Sequence, residues 1–302
     1  MDSTLKRPII FIGFPRSGTT IISETIFQHE ALAWISNYQD RVPSSSAINL
    51  IRFFFQNRFW DVRGKKRQLN SVPLLNRYIF RPVEGYNFWD YLTGKNFSRS
   101  FLYELKEVPE KVEEIRSFFD EMVRMQGRER IVMKLTGPPR LTYLHSIFPD
   151  ACFIKIKRKP LPTLRSLLKV NFWDEGGGEH KLWWKGNVYK NKELDFIRSL
   201  DEHKAAFLAA IQYYKVDEVQ KKEAELCNCR IYEVCYEEFI SEPMFVIKEI
   251  LNFVDLELSE GVNKYLKNNE IYNRNQREDY FIAPGLDEKI LNIATDGIIS
   301  TS

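Results

Sequence analysis

The chain of 302 residues is long enough for one large α/β domain or two small ones. Hydrophobic residues make up 44% and charged residues 28%, which excludes collagen-like, disordered and disulfide-scaffold chains. Lys plus Arg number 44 against 41 Asp plus Glu, a near-balance that argues against a protein built to coat nucleic acid but leaves room for a local basic pocket. Cys152, Cys227, Cys229 and Cys235 form no CxxC pair and have no histidine cluster near them in sequence. Reduced, mostly buried thiols and no zinc site are therefore expected. No apolar run approaches the ~18–20 residues of a membrane span. Met1 to Pro8 lacks a signal-peptide core, so a soluble cytoplasmic protein is the expectation.

In chain order, Pro8–Phe14 reads as a short buried strand, Gly13–Gly18 as a turn, and Ile21, Ile22, Ile26 and Phe27 recur at helical spacing from Thr19 onward. A second strand–turn–helix unit runs through Ile131–Leu135, Gly137-Pro138-Pro139 and the apolar face of Leu141, Leu144, Ile147 and Phe148. A third pairs Ala151–Ile156 with a helix from Pro160 to Val170. The fourth pairs Arg230–Cys235 with Ser241–Val254, where Ser241 is placed to cap and Pro243 to sit in the first turn. Repeated strand-then-helix units predict an α/β fold: a mostly parallel central sheet with helices on both faces, of the P-loop nucleotide-binding type. Two stretches interrupt the pattern, about 44–130 (Phe53, Phe54, Phe55, Phe59, Trp60, Trp89) and 171–200 (Trp173, Gly176–Gly178, Trp183, Trp184). Neither has a linker's composition, so both read as insertions into a single domain spanning 1–302.

Gly13-Phe14-Pro15-Arg16-Ser17-Gly18-Thr19-Thr20 follows a strand and opens a helix, where successive backbone N–H groups form a nest for a phosphate. Its glycines permit a tight turn and close approach of an anion. The spacing is that of G-x-x-x-x-G-K-[ST], except that Thr19 stands where the lysine should be. That lysine reaches β/γ-phosphates, so its absence suits a nucleotide with one phosphate on its 5′ side. Arg16 places a cation earlier in the loop.

Pro15 through Thr20 resembles the P-[KR]-S-G-T-T loop of the sulfotransferases that use 3′-phosphoadenosine 5′-phosphosulfate (PAPS). That family's second signature is an arginine closing a strand with a serine eight residues later, matched by Arg158 and Ser166. The resemblance implies that this pair binds the 3′-phosphate, and that Arg16, Ser17, Gly18, Thr19 and Thr20 hold the 5′ side. On residue chemistry alone, Lys155, Lys157 and Arg158 are also consistent with a solvated strand edge. Lys134 falls at the place of a lysine that neutralises the transferring sulfonate in cytosolic members. The segment from Tyr232 to Pro243 resembles the family's late strand and helix, which points to Tyr236, and more weakly Tyr272, beside the adenine. By burial pattern alone Tyr236 is a half-buried strand tyrosine. The likeness covers residues 8–43, 131–170 and 230–275.

What the resemblance implies is sulfuryl transfer from PAPS, without a metal, to a hydroxyl or amine of a small-molecule, carbohydrate or lipid-linked acceptor. Arg16 and Lys134 would offset the charge that develops. A general base is normally needed, and here the chain departs from the family. Cytosolic members carry K-x-H where this chain reads Lys134-Leu135-Thr136, and other members take a glutamate after the first helix, where Trp34–Arg41 has none. Asp40 is the nearest carboxylate and the expected base, with His29 and His145 as alternatives. Asp40 reads equally as a partner of Arg41 or a turn residue. Aromatics at 53–60 and 172–184 are consistent with a pocket wall, with Gly176–Gly178 as a hinge, or with satellite core. Arg41, Arg52, Arg58 and Arg63 suit an acidic acceptor or a solvated helix face. Two other function classes stand beside this one: a P-loop small-molecule kinase, which the missing lysine opposes, and a non-catalytic nucleotide-binding relative.

Overall fold

In the computed structural model, which describes residues 5–59, 78–275 and 285–293, five strands form one parallel sheet. They are β1 (Ile9–Gly13), β2 (Leu32–Trp34), β3 (Arg130–Thr136), β4 (Cys152–Lys157) and β5 (Arg230–Cys235), in the order β2-β3-β1-β4-β5. Every neighbouring pair is parallel. The strand–helix units read from the sequence are present, with helices at Thr19–Ile26, Leu141–Ile147, Pro160–Leu168 and Pro243–Phe253. β2 was not expected: three residues at a sheet edge leave no period to read. Ser241 does not cap as anticipated. It ends a separate short helix, Tyr236–Ser241, and its hydroxyl donates to the Glu238 carbonyl. Trp60, Arg63 and the rest of 60–77 lie outside the described residues.

Alternation along the strands builds a core on each face. Ile10, Ile12, Met133, Leu135 and Phe153 pack with the helices Tyr86–Thr93, Pro109–Met125 and Leu141–Ile147. Ile9, Phe11, Val132, Ile154 and Ile156 pack with Thr19–Ile26 and Pro243–Phe253. Both faces of the central strands are therefore covered, which is why these strands read as nearly continuous apolar runs. A third cluster joins Phe14, Phe101, Trp173 and Trp184 to the long helix Lys204–Cys227. Trp173 and Trp184 are buried, so these two belong to core, whereas Phe53, Phe54 and Phe59 are exposed.

The helix Asn191–Ser199 is tied to the long helix by charge: the fully buried Lys215 ammonium lies 2.7 Å from Glu193 Oε1 and 2.7 Å from Glu218 Oε2. A buried cation is tolerable only with such partners. Cys227 and Cys229 are joined as a disulfide, which differs from the expectation of four reduced thiols, while Cys152 and Cys235 are free. Among the described residues no helix is long and apolar enough to cross a membrane.

Candidate functional site

β1 sits between β3 and β4: the chain runs from β1 to β2 and β3 on one side, then crosses over to β4 and β5 on the other. A cleft opens at such a switch point, beyond the carboxyl ends of the strands. The turn after β1 fills that place. Gly18 adopts φ +91° at the start of the helix Thr19–Ile26, and a Cβ there would lie 2.1 Å from the Tyr236 ring. Only glycine lets the loop lie on that tyrosine. Arg16 itself has φ +72°, a sparsely populated conformation for a side-chain-bearing residue and one that recurs at ligand sites. The Ser17 hydroxyl turns inward and donates to the Phe14 carbonyl at 2.6 Å. The first N–H groups of the helix have no intrahelical acceptor and face the turn.

Three residues singled out by sequence meet here. Arg16 Nε donates to Ser166 Oγ at 3.0 Å, and Arg158 Nη1 donates to the Arg16 carbonyl at 2.9 Å. Arg158 Nε also donates to Asn275 Oδ1 at 2.9 Å, and its guanidinium stacks 4.7 Å from the centre of the Tyr236 ring. Burial lowers the Arg158 pKa, opposed by Tyr236, Glu237 and Tyr213. The Asn275 amide is fixed in turn by Glu237 Oε1 at 2.6 Å. Tyr213, on the long helix, donates its hydroxyl to the Arg158 carbonyl at 2.6 Å while its ring packs edge-on against Phe14. Together with Arg165, Lys169, Tyr272 and Arg274, residues Arg16, Arg158 and Ser166 line a cleft of about 590 Å³. Tyr236 is buried beneath it, whereas Tyr272 is 63% exposed.

On the other flank, β1–β3 register pairs Phe11 with Lys134 and puts the lysine on the face of the first helix. Its ammonium donates to Thr20 Oγ1 at 3.3 Å and pairs with Glu84 Oε1 at 3.1 Å. Glu84 was not foreseen. It lies on a strip held by Val83 N–H donating to the Ile35 carbonyl at 2.9 Å, and it accepts the Thr136 hydroxyl at 2.8 Å and the Tyr86 hydroxyl. Burial raises its pKa, but the Lys134 charge and the two hydroxyls outweigh burial and hold the carboxyl below its ordinary value. No local spacing betrays Glu84, because it is separated by 50 residues from Lys134 and reaches it only through the pairing of this strip with residues 35–37.

Asp40 is engaged by backbone and amide donors. Its carboxylate accepts the Phe88 N–H at 3.1 Å and the Asn87 amide at 3.3 Å, and so binds the first turn of Tyr86–Thr93. His29 Nε2 meets the distant Glu257 carbonyl at 3.0 Å, while its Nδ1 accepts the Ala31 N–H at 3.1 Å. Arg52 is buried against Trp34, donating to Leu32 O, Gln56 and Gln126.

An uncharacterized protein of Aquifex aeolicus (strain VF5) is 24% identical over 278 residues, 87% of this chain, which spans only 27% of that relative's length. The fold is similar to the crystal structure of sulfotransferase STF9 from Mycobacterium avium, with TM-score 0.53, 19% identity and coverage of 97% of this chain and 74% of that one. Sulfotransferase STF1 from Mycobacterium tuberculosis H37Rv aligns at TM-score 0.49 and 15% identity, over 89% of this chain and 73% of that one. The family model described as the Sulfotransferase family matches residues 8–260. With that match over most of its length, the chain belongs to the sulfotransferase family.

Proposed function

We propose that the chain is a sulfotransferase that moves a sulfuryl group from PAPS to an acceptor hydroxyl or amine. One observation carries the donor reading: Arg16 bonds both Arg158 and Ser166, so the anion loop and the arginine–serine clamp form one continuous wall of the cleft. A turn without the triphosphate-binding lysine, beside a second basic site, suits an adenosine with phosphates at both 3′ and 5′ positions. The cleft's cations fit that charge, and Tyr272 offers an exposed ring for a base. PAPS supplies an activated sulfuryl group; this chain's residues bind the nucleotide, offset charge and move a proton.

Arg158 and Ser166 would hold the 3′-phosphate, and the first-turn N–H groups with Thr19 and Thr20 the 5′ side. Arg16 and Lys134 would offset charge on the sulfonate and the leaving oxygen. Glu84, in place of Asp40, is our assignment for the base: its carboxylate already faces Lys134 at the loop, whereas that of Asp40 is bonded to a helix start. As Glu84 takes the acceptor's proton, its hold on the Lys134 ammonium weakens, and that ammonium turns toward the developing negative charge. Thermal shift tests the donor reading. Adenosine 3′,5′-bisphosphate should raise the melting temperature without added metal, ATP with Mg²⁺ should do little, and the reverse order would favour a kinase.

A further inference from the structure

Residues 81–84 run extended beside residues 35–37. Arg81 N–H donates to Asn37 Oδ1 at 3.0 Å, Asn37 N–H donates to the Arg81 carbonyl at 3.0 Å, and Ser36 pairs with Pro82. Three extended residues span about 10 Å, which sets the backbone distance from Arg81 to Glu84. Asn37 also begins the short helix Asn37–Arg41, which carries Arg41 close enough for its charge to act on Arg81.

Ion pairs engage some of the described arginines but not these two. Arg7, Arg116, Arg124, Arg165, Arg198 and Arg230 each meet an aspartate. Among the described residues, neither Arg41 nor Arg81 has a carboxylate within ion-pair distance. Burial and the charge of Arg41 both lower the Arg81 pKa, with only Glu24 opposing. Glu24 is itself buried and accepts the Tyr265 hydroxyl at 3.3 Å. It lies one helical turn beyond Thr20, the residue that receives the Lys134 hydrogen bond. A half-buried cation with a second cation near it is favoured by an anion that joins the two.

We infer that Arg81, assisted by Arg41, binds an anionic group of the acceptor, a carboxylate, phosphate or sulfate carried apart from the hydroxyl that Glu84 deprotonates. This rests on the sulfotransferase reading above. The acceptor is thus an acidic molecule, and the guanidinium fork selects it by bidentate hydrogen bonding that an uncharged analogue cannot match.

The test uses the full chain with adenosine 3′,5′-bisphosphate bound and two probes, 3-(4-hydroxyphenyl)propanoate and its neutral amide, followed by titration calorimetry and, with PAPS, by turnover. The carboxylate should bind about tenfold or more tightly than the amide, as expected for hydrogen bonds to a charged group. Arg81→Ala should erase that preference and Arg41→Ala should reduce it, with melting temperatures reporting that both variants fold. Inorganic sulfate should compete with the carboxylate in the native chain and not in Arg81→Ala, whereas competition retained in Arg81→Ala would mark a free-anion site elsewhere and overturn the assignment. Equal binding of the two probes, a preference surviving Arg81→Ala, or no binding of the carboxylate to the bisphosphate complex overturns the inference and leaves the donor reading standing. Failure of the bisphosphate itself to bind overturns both.

Discussion

Arg158 is fixed by Asn275, by the Arg16 carbonyl and by the Tyr236 ring, and its own carbonyl is held by Tyr213. Such a side chain loses little entropy when it meets an anion, so its removal should be felt fully. Arg158→Ala is expected to weaken adenosine 3′,5′-bisphosphate by about 10- to 100-fold, the scale of a charge-assisted hydrogen bond, and to abolish the thermal shift. A shift that survives would move the 3′-phosphate elsewhere. Glu84 and Asp40 can be separated by kinetics. Glu84→Gln keeps the size and most hydrogen bonds but removes the proton acceptor, so kcat should fall by about 10²- to 10⁴-fold with bisphosphate affinity retained. Asp40→Asn should leave kcat within about threefold, because an amide oxygen can still accept the Phe88 N–H. If Asp40→Asn is the inactive one, the base assignment reverses.

At the scale of elements, two helices set the loop from opposite sides. The helix Tyr236–Ser241 brings a ring beneath Gly18, and the long helix Lys204–Cys227 presents Gln212 and Tyr213. Gln212 accepts the N–H groups of Trp183 and Trp184, while Tyr213 touches Phe14 and bonds Arg158. Tyr213→Phe keeps the ring but loses the bond, so bisphosphate affinity should fall by about three- to tenfold with melting temperature little changed. Titration calorimetry measures this directly. The four strand–turn–helix units and the loop were legible in sequence because each is local: apolar runs, punctuating glycines and prolines, and helical spacing lie within some twenty residues. Arg16, Arg158 and Ser166 were legible as a spaced motif. Glu84, Asn275 and Tyr213 were not, since each arrives through tertiary packing from a segment whose own pattern carries no chemical mark. For Asp40 the sequence left base and turn roles open, and the contact it makes with the Phe88 N–H at a helix start is one that local spacing does not show.

For the whole molecule, Glu223 gives a pH signature. Fully buried on the long helix, it accepts the Leu141 N–H at 2.9 Å and the Thr142 N–H, and burial outweighs these donors and Arg140 to push its carboxyl up to about 7. A folded-state value above the unfolded one means the native state holds this proton more tightly. The associated stability is complete below the unfolded pKa of about 4.5 and disappears as pH rises through about 7. Glu223→Gln lacks that titration. Relative to this variant the native chain should lose up to about 3 kcal/mol between pH 4 and pH 8, read as a falling difference in urea midpoint. A constant difference across that range would show that Glu223 does not titrate there. The sheet order has a broader bearing. Lys134 and Glu84 stand on the β2–β3 flank of β1, and Arg158 and Ser166 on the β4–β5 flank, so the two clusters rest on separate strands on either side of the loop. On the reading proposed above, replacing the segment that carries Arg81 would change the acceptor while leaving the Arg158–Ser166 wall of the cleft in place.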